Sequence, residues 1–328
     1  MGLKILYAVQ ATGNGHISRA ITLLPHLKKQ GEVDVFLSGS NSHLSPQLPI
    51  RYRSKGISLY YSNRGGLNYT KILLQRNPLT VLKEAKDLPV DRYDLVINDY
   101  DFITSLACRL KKTPSIHFGH QASFHYKEAP RPKLKNLFGE LLLADYVQAT
   151  HHVGLHFEKY HPSIFGAIVK EDFIKSEPSN LQHVTVYLPA LPIKKLEVLL
   201  ESIPAQKFEV FSKEVKFHYR FRNIFYYPID QNQFNKSMLN CAGIICGAGF
   251  ETPAEAMHLG KKILAVPIEG QYEQYCNAAG LAKMQVATTR IKNLKSEAII
   301  KWLDNGQAVQ KDYSKSTQEA LQHIFSLQ

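Results

Sequence analysis

Ile244 to Ala279, reading IICGAGFETPAEAMHLGKKILAVPIEGQYEQYCNAA, constrains this chain more than any other stretch. Two short apolar runs, Gly243–Cys246 and Lys262–Pro267, predict strands around a glycine turn, Gly247-Ala248-Gly249, and a helix opening near Thr252. A strand, a glycine loop and a helix N-terminus together make an anion site. The glycines admit close approach, and the first helical amides point outward along the positive end of the dipole. Glu255 falls one turn into the helix, and a polar run, Gln271 to Asn277, follows the second strand. A phosphate, a diol and a polyol can all be met within one such unit, which outlines a site for a sugar nucleotide.

The alternation extends along the whole chain. Lys4–Val9, Val33–Leu37, Ile57–Tyr61, Leu95–Asn98, Ser115–Phe118 and Tyr146–Ala149 predict strands. Several are unbroken apolar runs, as a buried parallel sheet requires. Helices are expected at Ile17–Lys29, Lys71–Lys86 and Phe102–Leu110, and His151–Asn180 reads as an irregular linker. A second alternation follows: strands at Val184–Leu188, Phe208–Phe211 and Ile224–Tyr226, with helices at Lys194–Ser202, Tyr272–Lys283, Ser296–Asp304 and Thr317–Ile324. The expected fold class is α/β, two Rossmann-like doubly wound domains facing a cleft. The expected division is an N-terminal domain over 1–165, a C-terminal one over 166–310, and a final helix, 311–328, packing back on the N-terminal domain. At 328 residues, two domains of ~150 residues also match the length.

Composition narrows the class. No apolar run approaches the ~20 residues of a membrane span, and MGLKILYAVQ enters a strand directly, unlike a signal peptide. The four cysteines, Cys108, Cys241, Cys246 and Cys276, form no CxxC pair and are expected to be buried in a reducing, cytoplasmic setting. Lys+Arg 40 against Asp+Glu 28 leaves a net charge of +12, which attracts polyanions, whether nucleic acid, anionic lipid or a diphosphate. No nucleic-acid-binding motif and no run of five like charges is present, so nucleic acid is not an expected partner.

A first glycine turn, Ala11-Thr12-Gly13-Asn14-Gly15-His16, follows the first strand. It departs from the GxGxxG dinucleotide fingerprint, and no acidic residue closes the second strand. His16 opens the next helix, where the dipole disfavours an imidazolium and the ring can accept a proton. Its other reading is a hydrogen bond to a loop carbonyl. Glu255 is similarly double: Thr252-Pro253-Ala254-Glu255 has the form of a capping box, with Thr252 at the N-cap. In that case Glu255 closes the helix start; otherwise it takes up a ribose diol. Asp99-Tyr100-Asp101 has a DxD form, though at a strand end the two acids need serve no common metal. His151, His152, His156 and His161 are too loosely spaced for zinc, and no metal site is expected.

TGNGH at the first turn and GAGFETPAEA…GKKILAVPIEGQYEQYCNAA near the end resemble inverting, metal-independent glycosyltransferases of the two-Rossmann GT-B fold. The group includes the UDP-N-acetylglucosamine transferase of lipid-linked peptidoglycan synthesis and the plant diacylglycerol galactosyltransferases. The resemblance spans most of the chain, and Tyr93–Gln121 follows the same strand–helix–strand course. It implies that Gly13, Asn14 and Gly15 face the donor diphosphate or acceptor, and that His16 is the general base. Gly247, Ala248, Gly249, Phe250 and Thr252 would bind phosphate, and Glu255 the ribose. Gln271, Glu273 and Gln274 would read the sugar, Ile229 would lie by the base, and His120 and Gln121 would lie on the acceptor side.

The implied partners are a nucleotide sugar, most readily UDP-linked, and an acceptor, with no cofactor. The run Pro130–Leu143 mixes Arg131, Lys133 and Lys135 with leucines, and in such enzymes a similar position docks on an anionic membrane. Its plainer reading is an amphipathic helix packed on its domain. The alternatives in function are a sugar-nucleotide epimerase and a non-catalytic binder of nucleotide sugars or polyanions.

Overall fold

The computed structural model describes residues 2–11, 14–39, 48–56 and 77–328, and they form two compact units. The first comprises Met1–Ala129, Leu134–Lys170 and Tyr313–Gln328; the second comprises Pro130–Lys133 and Glu171–Asp312. The expected strand Ile57–Tyr61, the start of the expected helix Lys71–Lys86, and Gly13 lie outside the described residues.

The first unit is built on a seven-stranded parallel sheet. Its strands are β1 (Leu3–Gln10), β2 (Gly31–Ser38), β3 (Ile50–Ser54), β4 (Leu95–Asp99), β5 (Ile116–Gly119), β6 (His151–Leu155) and β7 (Ile164–Phe165). They lie in the order β3-β2-β1-β4-β5-β6-β7. The order reverses between β1 and β4, which pair from Ile5 on Leu95 to Val9 on Asp99. Ligands in doubly wound sheets gather beyond the carboxyl ends of the strands at such a reversal. Leu6, Ala8, Phe36 and Val96 pack there against Val81, Ala85, Ile103 and Ala107 from the helices Pro78–Asp87 and Phe102–Lys111. The closing helix, Ser316–Ser326, belongs to this unit, where the Tyr313 hydroxyl donates to the Phe157 carbonyl at 2.9 Å.

The interval expected to be an irregular linker is ordered. β6 and β7 occupy its first half, the short helix Glu171–Lys175 its second, and the strand expected at Tyr146–Ala149 is absent. The polar pair His151-His152 disguised β6, whose buried residues are Val153, Gly154 and Leu155. The pairing sets His117 opposite His152, with their Nδ1 atoms 3.3 Å apart, and the His152 ring stacks on His125 at 3.8 Å.

The second unit repeats the plan with β8 (His183–Tyr187), β9 (Lys207–Phe211), β10 (Tyr219–Phe221), β11 (Ile224–Tyr227), β12 (Gly243–Gly247), β13 (Lys262–Val266) and β14 (Ala287–Thr288). Their order is β10-β11-β9-β8-β12-β13-β14, parallel except for the β10–β11 hairpin. The reversal falls between β8 and β12, which puts the Gly247 loop at the corresponding position of this unit. Val184, Val186, Phe208, Val210 and Ile245 form the core with Leu196, Leu200 and Trp302. All four cysteines are free thiols and buried.

The histidine pair makes the first unit acid-sensitive. Burial pushes His117 well below the ordinary imidazole value of 6.5, and the neighbouring His152 adds to this. Burial, with help from His125 and His151, lowers His152 to about 4. Both groups favour the neutral form in the folded state, so their contribution is complete above pH ~6.5 and is lost as pH falls towards 4. Each group costs at most about 1.4 kcal/mol per pH unit, and His152, being partly solvated, costs less. Urea midpoints should fall steadily between pH 6.5 and 4.5, and His152→Gln should flatten that fall.

Candidate functional site

At the reversal point of the first unit stands a buried charge cluster. The helix Asn14–Lys28 begins at Asn14, earlier than expected, so His16 lies in its first turn and Arg19 three residues on, along the same face. Both side chains meet Asp99, the last residue of β4, which is wholly buried. His16 Nδ1 lies 2.7 Å from Asp99 Oδ1. The Arg19 guanidinium grips the same carboxylate, Nε to Oδ2 at 2.9 Å and Nη2 to Oδ1 at 2.8 Å. The Tyr7 hydroxyl on β1 donates to Oδ2 at 3.4 Å.

The cluster decides the His16 tautomer. Arg19 Nη2 also lies 2.9 Å from His16 Nδ1 and directs one of its two N–H groups to Asp99 Oδ1. An ionised carboxylate only accepts, so a 2.7 Å approach by Nδ1 requires the proton on that nitrogen. Nε2 is then the acceptor. Burial alone would raise the Asp99 pKa, but the Arg19 charge and then His16 more than offset it. The carboxyl is held well below the usual carboxylate range. Asp99 is therefore ionised throughout the neutral range.

Two backbone features make room for this arrangement. Gly119 ends β5 at φ +145, and a Cβ there would come within 2.9 Å of Asp99 Oδ1 and 3.3 Å of Arg19 Nη2. Tyr100 adopts φ 62, unusual for a bulky residue, and turns the chain between two acids with separate tasks. Asp99 faces the cluster, while Asp101 caps the helix Phe102–Lys111 by accepting the Thr104 amide at 2.6 Å. The Tyr100 ring lies parallel to His16 at 6.3 Å, and its hydroxyl donates to the Leu142 carbonyl at 2.8 Å. His120 and Gln121 follow Gly119 and are buried; His120 Nδ1 donates to the Leu155 carbonyl at 2.9 Å.

Sequence reasoning found His16 and missed Asp99, Arg19 and Gly119. The available signal was the His16–Arg19 spacing on one helix face together with an acid closing the strand beside β1.

In the second unit, β12 runs into Gly247, Ala248 and Gly249, and a Cβ on Gly249 would meet nothing within 4 Å. The next helix is Glu251–His258, with Phe250 as N-cap and no side-chain cap bond. This corrects the expected capping box: Thr252 is already inside the helix, and Glu255 lies beyond N3. Pro253 fits the first turn because an amide there has no intrahelical acceptor. Glu255 is 4% exposed and lies on the helix's buried side.

The polar run builds the loop's other wall. The helix is Tyr272–Lys283, as expected. Asn277 donates to the Ala248 carbonyl at 3.0 Å, and Gln274 Oε1 would stand 3.6 Å from a Cβ on Gly247. Gln274 also accepts the Ile268 amide at 3.0 Å and donates to Gln271 Oε1 at 2.9 Å. The structure thus gathers Gly247, Ala248, Gln271 and Gln274 around one loop; Glu273 lies on the same helix, half-buried. Ile229 is exposed just after β11, at the same carboxyl edge of the parallel sheet as the Gly247 loop. In the first unit Asn14 and Gly15 open the His16 helix.

Two doubly wound parallel units with loops of this kind define the GT-B architecture, and solved structures agree. UGT2 of Phytolacca americana, solved with UDP-2fluoro-glucose and pterostilbene, aligns over 99% of this chain and 94% of its own, at 13% identity and a TM-score of 0.62. MurG of Acinetobacter baumannii aligns over 99% of both chains at 14% identity and a TM-score of 0.58. UGT89C1 of Arabidopsis thaliana, solved with UDP, gives 12% identity, 99% and 94% coverage and a TM-score of 0.59. No curated protein sequence matches significantly. The model of glycosyl transferase family 1 matches residues 3–305, and the chain belongs to that family. It is a glycosyltransferase.

Arg19 is the compensating charge on which the cluster rests. Arg19→Leu leaves Asp99 buried without it and should destabilise the protein by roughly 3–5 kcal/mol. Without Arg19 the carboxyl pKa rises, so the deficit should be largest at neutral pH and shrink on acidification. Urea midpoints of both proteins at pH 7 and 4.5 measure this; an unchanged midpoint at pH 7 would refute it.

Proposed function

We propose that the protein is an inverting transferase that moves a hexosyl or N-acetylhexosaminyl group from a UDP-linked donor to an acceptor hydroxyl, without a metal ion. The observation that carries this reading is the 2.7 Å contact of His16 Nδ1 with Asp99. With that nitrogen protonated and fixed, Nε2 takes the acceptor proton as the hydroxyl oxygen attacks the anomeric carbon. Asp99 stays ionised and favours the imidazolium that forms, as an orienting carboxylate does for a histidine base. The bond from the anomeric carbon to the diphosphate oxygen breaks on the opposite face, which inverts the configuration.

The leaving diphosphate gains negative charge in that step. The loop Gly247–Phe250 and the first turn of Glu251–His258 meet it with backbone amides and the helix dipole. Glu255 accepts from the ribose hydroxyls, and Gln271 and Glu273 face the sugar. UDP as the nucleotide is supported by UGT2 and UGT89C1, both solved with uridine nucleotides. SpnG, solved with thymidine diphosphate, shows that the same fold accepts another base. Gly15 precedes His16 in the first turn of its helix, with His120 and Gln121 on the acceptor side.

The acceptor reaches the protein at a membrane surface. The helix Leu137–Asp145 and the residues before it leave Leu134 and Leu137 almost wholly exposed, with Leu141 and Phe138 about half so. Arg131, Lys133 and Lys135 adjoin them in sequence. Among the described residues no helix is long and apolar enough to cross a membrane, and a peripheral contact fits such a patch.

His16→Ala should lower sugar transfer by about a hundredfold or more while leaving UDP affinity within about twofold, compared by nucleotide release and calorimetry. Undiminished transfer would remove His16 from the role of base, and donor turnover without any acceptor would point to an epimerase. Glu255→Gln, which keeps the side chain's size and an accepting oxygen, should weaken UDP binding by about tenfold with little change in melting temperature.

A further inference from the structure

The free edge of the second unit's sheet carries an element that sugar transfer leaves unexplained. β10 is exposed along its whole length and, among the described residues, pairs only with β11. Lys213 to Arg222 reads KEVKFHYRFR, four cationic residues against one acid, with an aromatic ring at every second position from Phe217. Phe217 is 81% exposed, Tyr219 45% and Phe221 37%.

The hairpin is firmly mounted. Val215 is buried in the core cluster two residues before Phe217. At the other end the Asn223 amide donates to the carbonyls of Leu200, Ile203 and Gln206 at 3.1, 3.0 and 2.8 Å, and Arg222 bonds Glu201 at 3.0 Å. A rigid base thus presents a bare ring just after Lys216, at the head of a row of part-exposed rings.

We propose that this hairpin is a second docking element for an anionic lipid surface; the choice of partner rests on the peripheral-membrane reading above. Charge complementarity selects an anionic partner. The rings other than Phe217 offer nucleic-acid bases little to stack on, because each already has a face engaged. Tyr219 stacks on Tyr226 at 4.6 Å, Arg222 lies over Phe221 at 5.3 Å, and Arg220 and Lys207 lie over Phe225 at 5.0 and 4.6 Å. Antiparallel edge-to-edge pairing with a second copy, centred on β10, would set Arg220 against its own copy. A bilayer interface suits Phe217, whose ring enters the headgroup boundary while Lys213 and Lys216 reach the lipid phosphates.

The test is flotation with phosphatidylcholine vesicles, with and without phosphatidylglycerol, at low and high salt. The wild type should bind only the anionic vesicles, and less so in high salt. Phe217→Ser, and separately the pair Lys213→Ser and Lys216→Ser, should each lower that binding about fivefold or more with unchanged melting temperature. The pair Leu134→Ser and Leu137→Ser examines the helix independently. Full binding by both hairpin variants overturns the hairpin proposal, even where the leucine variant has lost binding and the helix reading stands. Loss in the hairpin variants alone supports the hairpin and removes the helix. A wild type that ignores anionic vesicles overturns both readings. Retention of single-stranded RNA, or self-association, that Phe217→Ser abolishes overturns the hairpin proposal.

Discussion

The first unit is organised around an ionised carboxylate with no access to water. Burying such a group costs several kcal/mol unless a counter-charge meets it with good geometry. Asp99 meets that condition through the fork of Arg19 and the Nδ1 proton of His16. The surrounding structure follows from the need to keep these groups together. β4 must end beside β1, the helix Asn14–Lys28 must start early enough to put positions 16 and 19 on the carboxylate, and β5 must close on a residue without a Cβ. A cluster this demanding leaves the imidazole one orientation, and a fixed imidazole is what proton transfer at Nε2 requires.

The anion site proposed for the second unit is built by the opposite route, with backbone in place of buried charge. There the polar side chains chiefly do construction. Asn277 holds the Ala248 carbonyl and Gln274 holds the Ile268 turn, so the loop between them is set before any ligand arrives. This divides a run that looks uniform in sequence: Gln274 and Asn277 shape the wall, while Gln271 and Glu273 are left nearer its mouth. Preorganised amides of this kind lose nothing to reorganisation as charge develops on a leaving group.

Much of the fold was legible because parallel strands buried on both faces read as unbroken apolar runs, and Gly243–Gly247 and Lys262–Val266 are of that kind. β6 was not, because two histidines open it and their partners, His117 and His125, are distant in sequence. Within the site, His16 was legible from its place at a helix start. Asp99 was not, since its role exists only through strand pairing with β1, and DYD invites a reading as one motif. The helix start at Thr252 was misread for a related reason. Thr252-Pro253-Ala254-Glu255 satisfies the capping pattern locally, but the helix starts earlier, at Glu251, as the chain leaves β12, and a local pattern gives way to that tertiary requirement.

Tyr100 shows how closely the parts of the first unit are tied. Its left-handed backbone is what separates Asp99 from Asp101, so the strain it carries belongs to the dyad and the helix cap together. Its side chain reaches the other way, to the Leu142 carbonyl in the helix that bears the exposed leucines, and packs on Tyr146 at 4.9 Å. The peptide bond that follows Asp99 and the helix Leu137–Asp145 are therefore joined by one residue with little freedom at either end. A displacement of that helix bears on the neighbour of the carboxylate that orients His16. Packed side chains yield in discrete rearrangements more readily than by gradual bending, so a change at the apolar helix reaches the dyad through a short, stiff path.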